Sequence, residues 1–307
     1  MKKPLVLFLV GPTASGKSSV AEELARQIGA EIISADSMQV YRGMDILSAK
    51  PTLCQRKAVP HYLVDILDPT EQYSAAVFRE KALKALEEIT GRGKIPLVVG
   101  GTGLYIKSLT RGLFIDKGKD EQLRKALEKE AKHRGIEHLY ERLKEVDPEA
   151  AGKIHPNDLR RVVRALEAYE VNSMTITELK GNMEGLDEKY DFKIFAIDRV
   201  RGELYERIEL RVDKMFEAGL LEEIKNLLKV PLSHTAKQAI GINQISAYLN
   251  KECSQDEAKE LIKRDTRRFA KRQLTWFRAE KDIIWIKAES IDTDEAIASK
   301  ILSLLVL

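Results

Sequence analysis

The chain has 307 residues, enough to bury a full core in one large domain or two smaller ones. Its net charge of +3 is close to balance, so a nucleic-acid partner would have to be met by local basic clusters rather than by overall charge. Two distant cysteines, Cys54 and Cys253, argue against a disulfide scaffold, and five scattered histidines, none in a carboxylate-histidine motif, lead us to expect no zinc site.

The start, Met1-Lys2-Lys3 ahead of Leu5–Val10, has the outline of a secretion signal. The apolar run stops at Gly11 with no small-residue cleavage site before it, and a buried strand is the better reading. No other apolar run is long enough to span a bilayer, which makes the cytoplasm the expected location. Ser18–Ile28 has helical spacing, with Val20, Leu24 and Ile28 on one face. Strands are expected at Glu31–Ala35, His61–Leu67 and Ile95–Val99, with a helix over Ala75–Ile89 between the last two. This alternation predicts an α/β fold, a P-loop parallel sheet covered by helices on both faces. The pattern changes after about Gly112. Lys117–Glu170 is charged and helical with no convincing strand, and a polar loop follows at Gly181–Asp187. Strand signals return at Phe192–Ile197 and Ile283–Ile286, with helices over Glu203–Leu228 and Asp256–Arg278. The expected organisation is therefore a core of residues 1–112 and 190–307, interrupted by a helical insertion domain at 113–189.

Gly11-Pro12-Thr13-Ala14-Ser15-Gly16-Lys17-Ser18 matches G-x-x-x-x-G-K-[ST] between a strand and a helix. Its glycines let backbone N–H groups turn toward phosphate oxygens, and the helix N-terminus adds a favourable field. Lys17 would neutralise the terminal phosphate, and the Ser18 hydroxyl would help to hold Mg²⁺. The motif is shared with ATP-binding proteins, so it predicts polyphosphate binding without saying which group is transferred. No apolar run leads cleanly into an Asp that could hold the metal of a nucleotide hydrolase. Leu63-Val64-Asp65 and Ala196-Ile197-Asp198 are weak substitutes.

Asp36, in Ser34–Tyr41, lies at the end of the second strand, where parallel sheets present ligands. Its carboxylate could accept a proton from a nucleophile or simply cap a turn. Thr102, in Gly100–Tyr105, could donate to a phosphate oxygen or serve as a helix N-cap. Arg207 and Arg211 share a helical face and could reach a diphosphate or lie on a solvated surface. Two basic stretches suit a nucleic-acid backbone, or equally a solubilising surface. One is Asn157–Tyr169, with Arg160, Arg161 and Arg164 off its apolar face. The other is Arg264–Arg278, with Arg264, Arg267, Arg268, Lys271 and Arg278 along one side.

Taken in order, GPTASGKS, DSMQVYRGMDI at Asp36–Ile46, AKP at Ala49–Pro51, GGTGLY at Gly100–Tyr105, HPND at His155–Asp158 with RVVRALEAYE after it, RVDKMFEAGL at Arg211–Leu220 and AKRQLTWFR at Ala270–Arg278 span nearly the whole chain. This ordered set resembles the bacterial tRNA dimethylallyltransferase family, also called tRNA isopentenyltransferases. The resemblance implies transfer of a dimethylallyl group from dimethylallyl diphosphate to the exocyclic N6 amine of the adenine 3′ of the anticodon. The tRNAs are those reading codons that begin with U, and the product is isopentenyladenosine. The P-loop then holds a prenyl diphosphate, and Mg²⁺ is the implied cofactor, bound through Ser18.

By the same resemblance Asp36 is the base. Lys17, Thr102 and Arg211 share the catalytic work by stabilising the departing diphosphate, together with the N–H groups of Gly11–Ser18. Asp36, Ser37, Met38 and Gln39 would contact the extruded adenine, Thr102 would also meet the tRNA, and Arg124, Arg160, Arg161 and Arg164 of the insertion would grip the anticodon stem-loop. Lys271, Arg272 and Arg278 would add backbone contacts. A monomer is expected. The sequence departs from the family at Leu47-Ser48, where Gly-Thr is usual, at Ser18, where Thr is common, and at Val171-Asn172-Ser173, where a Thr-Gly turn is usual. It departs again at Gly241-Ile242-Asn243, where Gly-Tyr-Lys is frequent, which puts an RNA contact near Ile242 in question. Two rivals share the loop: a small-molecule kinase and an RNA-binding protein that uses nucleotide as a switch. The kinase leaves the basic helices unexplained, and the switch lacks an N-K-x-D base-reading motif.

Overall fold

The computed structural model describes residues 3–113, 120–181 and 183–305. Lys117, where the helical insertion is expected to begin, and Asn182 of the polar loop lie outside the described residues. Six parallel strands form one sheet in the order β3-β2-β4-β1-β5-β6. They are β1 Leu5–Val10, β2 Glu31–Ser34, β3 His61–Tyr62, β4 Pro96–Gly100, β5 Asp191–Asp198 and β6 Ile283–Lys287. The strand assigned to His61–Leu67 is thus only two residues long. Leu63 and Asp65 take positive φ angles of 62° and 59°, which no ladder tolerates, and Leu67 makes an isolated bridge to Tyr41. The helix expected over Glu203–Leu228 is two helices, Arg201–Glu217 and Leu220–Leu227, parted at Gly219 with φ 99°.

The continuous apolar run of β1 follows from a sheet covered on both faces. Val6, Phe8 and Val10 enter one core cluster and Leu7 and Leu9 the other. The neighbours split the same way, Val98 from Leu97 and Val99, and Ile194 from Phe195. Register decides where function can sit. Val10 pairs with both Gly100 and Ala196, and Ser34 pairs with Val99, so β1, β2 and β4 end nearly level with one another while β5 runs on to Asp198. The segments that leave these ends, beginning at Gly11, Ala35, Gly101 and Arg199, share one edge of the sheet.

The chain divides into two compact units, residues 1–110 with 186–307, and residues 111–185. The second boundary falls earlier than the expected 189/190 because Leu186 and Tyr190 are buried in the sheet unit's core; the first falls at 110/111 instead of 112/113. The second unit is helical, with helices at Glu121–Arg134, Ile136–Val146, Pro148–Lys153, Leu159–Asn172 and Ile176–Gly181. Leu127, Leu139, Leu143, Val162 and Leu166 form its own core. Buried Asp147 ties two of its helix starts together, accepting from the Ala150 N–H at 3.0 Å and the Thr177 hydroxyl at 2.7 Å. Among the described residues, no helix is long and apolar enough to cross a membrane.

Candidate active site

The Gly11–Ser18 loop carries three positions of unusual backbone, Gly11 at φ 150°, Ala14 at 64° and Gly16 at 91°. Such alternation curls successive N–H groups to one side and leaves the carbonyls facing out. Those carbonyls are taken up from outside. Arg199 Nε donates to the Ser15 carbonyl at 2.8 Å, and Arg207 Nε donates to the Ala14 carbonyl at 2.9 Å. Arg199 is itself buried and paired with Glu203 at 2.6 Å. Arg207, read as able to reach a diphosphate, thus braces the loop while also lining the cavity beside it. Arg211, one turn further, donates to the Thr13 hydroxyl at 3.3 Å. Lys17 Nζ donates to the Pro12 carbonyl at 3.3 Å.

A cavity of about 940 Å³ opens on the loop. It is lined by Thr13, Lys17, Ser18, Asp36, Thr102 and Arg211, among others. Residues far apart in sequence are brought together because the ends of β1, β2 and β4 are nearly level. Ser37, Met38 and Gln39 line the same cavity, as do Ala14, Gly16 and Arg272. Gly11, Pro12 and Ser15 lie outside its lining and shape the turn instead. Burial pushes the Lys17 ammonium down to about 8, opposed by the attraction of Asp36 and assisted by Arg211. Burial likewise lowers Arg211, with Asp36 opposing. Two cations and one carboxylate therefore sense one another across a desolvated space, an arrangement suited to an anion held beside a base.

Of the two roles that its sequence position allowed Asp36, the structure shows the turn. Its Oδ1 accepts from the Met38 N–H at 2.8 Å and the Gln39 N–H at 3.3 Å, which fixes the turn. Both bonds fall on one oxygen. Gln39 is in turn held by Ser34 Oγ at 2.8 Å. Thr102 stands just ahead of the Gly103–Thr110 helix, and its carbonyl accepts from Tyr105 at 2.9 Å. The weak substitutes for a metal-binding Asp do not reach the cavity. Asp65 is tied to Lys50 and to Arg56, the latter at 2.8 Å, and Asp198 lies 3.6 Å from Arg278.

Gln273 was not foreseen. It is 7% exposed, lines the cavity, accepts from the Thr13 N–H at 2.8 Å and donates to the Gly101 carbonyl at 2.9 Å. Its neighbour Trp276 explains a second glycine. A Cβ on Gly101 would overlap the Gln273 amide, and one on Gly103 would overlap the Trp276 indole. The glycines after β4 are thus needed for the approach of the Gln255–Arg278 helix. That crowding is the signal from which Gln273 could have been found. Arg199 follows directly on β5, at the edge where ligands gather, and could have been found by that rule.

The basic residues fare unevenly. In the insertion, Arg124 and Arg164 both bind the wholly buried Glu167, at 2.6 and 2.9 Å. Arg160 is exposed, and Arg161 is 70% exposed beside Asp158 at 3.4 Å. On the long helix, Arg267 pairs with Glu209 at 2.8 Å, while Arg264 and Arg268 share Asp265. The cationic stripe expected there is therefore partly neutralised. Lys271 and Arg278 are exposed outside the cavity lining. Ile242 is buried in the sheet unit's core at 2% exposure, which settles its role as packing.

The family profile described as IPP transferase matches residues 39–280, and the one described as Isopentenyl transferase matches residues 4–63. The chain is 47% identical over 295 residues to a tRNA dimethylallyltransferase of Acetivibrio thermocellus, covering 95% of this chain and 94% of that one. It is 45% identical over 303 residues to the tRNA dimethylallyltransferase of Pelotomaculum thermopropionicum, covering 98% and 96%. Among solved structures, the tRNA isopentenylpyrophosphate transferase of Bacillus halodurans superposes with a TM-score of 0.72 at 39% identity, covering 98% of this chain and 96% of that one. A eukaryotic dimethylallyltransferase acting on tRNA superposes with a TM-score of 0.84 at 30% identity, covering 97% and 77%.

Proposed function

Because the chain belongs to the IPP transferase family, we propose that it transfers a dimethylallyl group from dimethylallyl diphosphate to a tRNA adenine. The acceptor is the N6 amine of the adenine 3′ of the anticodon, in tRNAs that read codons beginning with U. The observation that carries this reading is the cavity that joins Lys17, Ser18 and Arg211 to Asp36. A phosphoryl-transfer enzyme needs a metal-binding Asp beside its loop. Here the carboxylate beside the loop is Asp36, set in a turn and fit to receive a proton.

In the reaction the amine nitrogen bonds to the allylic carbon as the carbon–oxygen bond to diphosphate breaks. The amine is a poor nucleophile because its lone pair is shared with the ring. Asp36, acting through Oδ2, takes its proton as the new bond forms. Lys17, Arg211, Thr102 and the loop N–H groups stabilise the charge gathering on the departing diphosphate. Ser18 offers a hydroxyl oxygen to Mg²⁺, a donor that suits a hard cation. No group of three or more His, Cys, Asp or Glu that could hold a metal exists among the described residues, so Ser18 and the diphosphate oxygens would hold the ion. When bound, the ion neutralises diphosphate charge. The adenine reaches the cavity by leaving its stack, with Ser37, Met38 and Gln39 as its neighbours.

For the RNA we assign phosphate contacts to Arg160 and Arg161, to Lys271, Arg272 and Arg278, and to what Arg124 and Arg164 present beyond Glu167. A monomer working in the cytoplasm is the simplest setting for such a substrate. The test is a transfer assay with labelled dimethylallyl diphosphate, Mg²⁺ and an anticodon stem-loop bearing adenine 3′ of the anticodon, with ATP as competing donor. Label on that adenine's N6 is the expected result. Consumption of ATP without prenyl transfer would overturn the reading.

A further inference from the structure

Two loops converge on the cavity, Gly11–Ser18 from β1 and Gly101–Gly103 from β4. The Gln273 carboxamide spans them, with Oε1 on the Thr13 N–H and Nε2 on the Gly101 carbonyl. We propose that Gln273 is a positioning residue that sets the spacing of the two loops around the diphosphate of the donor. This rests on the function proposed above for the same cavity.

Three observations carry it. The bridge uses the donor and the acceptor of one amide at once, which an apolar side chain of the same size cannot do. The bond to Gly101 is buried and the bond to Thr13 partly so, and removing the amide leaves the Gly101 carbonyl without its buried donor. Gly101 has no room for a Cβ, because the Gln273 nitrogen stands where it would be. The bridge also fixes what the loop can offer. Thr13 N–H is committed to Gln273, and the diphosphate is left to the amides further along the loop, up to the start of the Lys17–Ile28 helix. Gln273 lies in the same helix as Lys271, Arg272 and Arg278, so the element proposed to meet RNA also fixes the donor loop.

The experiment compares wild type with Gln273→Met, close in size and unable to make either bond, and with Gly101→Ala, which displaces the amide from the other side. Melting temperatures confirm that each variant is folded. The KM for dimethylallyl diphosphate is expected to rise about ten- to a hundredfold in either variant, while the Kd for the stem-loop changes less than about twofold. The double variant is expected to be little worse than either single one, because each breaks the same bridge. Binding of inorganic diphosphate with Mg²⁺, measured by calorimetry, is expected to weaken in parallel. An unchanged donor KM and unchanged diphosphate affinity in folded Gln273→Met would overturn the proposal. Additive losses in the double variant would do so as well. The diphosphate arm does not depend on RNA, so it decides the matter even if wild type transfers no prenyl group, an outcome that would sink only the functional reading.

Discussion

Two pairs of half-buried cations face opposite situations in the two units. Arg124 and Arg164 in the insertion converge on Glu167, a carboxylate with no exposure of its own. Lys17 and Arg211 in the sheet unit reach neutral oxygens, the Pro12 carbonyl and the Thr13 hydroxyl, and feel Asp36 only through space. The insertion carries its own counterion, so its arginine pair is structural before it is anything else. The cavity lining carries fewer carboxylates than cations, which is the charge balance expected where an anion is to be received. Burial depresses the pKa of both cavity cations, whereas the ion pairs with Arg164 and Arg124 hold Glu167 below the usual carboxylate value despite its burial.

The sharpest way to break this contrast is to remove the carboxylate that the cavity cations sense. Asp36→Ala is expected to lower the transfer rate by about 10²–10⁴-fold, with stem-loop affinity retained in a binding assay. An undiminished rate would remove Asp36 from the chemistry. Arg211→Ala comes next, with a fall of about 10²–10³-fold in kcat/KM for the donor. Lys17 gives a pH signature. Its ammonium is fully charged well below pH 8 and loses its proton as pH rises through about 8. The donor KM should be flat below that point and climb above it, by about tenfold per unit at most, and Lys17→Arg should abolish the climb.

The insertion should respond in stability instead. Glu167→Ala is expected to destabilise that unit by about 2–3 kcal/mol in chemical denaturation, less than for a fully buried pair because both arginines are partly exposed. With its folded pKa depressed, Glu167 stabilises the fold fully above its ordinary value of 4.5 and loses that contribution as pH falls through the folded value below it. Smallest is Arg160→Ala. It should weaken RNA binding uniformly and reduce the salt slope by about one, leaving the donor KM untouched.

The sheet was legible because its central strands are buried on both faces and read as apolar runs, β1 and β4 leading into glycine. β3 was overread: Leu63 and Val64 are apolar and both buried, but the backbone turns at Leu63 and Asp65, and sequence pattern carries no φ. The break at Gly219 was hidden inside a strong helical period. Short helices such as Asp45–Ser48 depend on remote partners: its N-terminal N–H groups are taken by Glu223, at 2.7 Å for Ile46. The loop motif marked out the Gly11–Ser18 turn at the cavity, while the residues that hold the loop, Arg199, Arg207 and Gln273, answer to three-dimensional neighbours. A glutamine in a basic amphipathic helix looks like any surface amide until the facing glycines are seen.

The parallel register has a consequence for how the molecule is made. β1 leaves the ribosome first, yet its partner β5 is synthesised only after the whole insertion. Until then the centre of the sheet has one open edge and two apolar faces with incomplete cover. The cavity draws on all of these strand ends together with Arg211 and Gln273, so no early fragment of the chain holds a working portion of it. The insertion, with a core made of near neighbours in sequence, can fold in that interval while the sheet waits. The cavity is therefore complete only once the Gln255–Arg278 helix has been made and packed against the two loops.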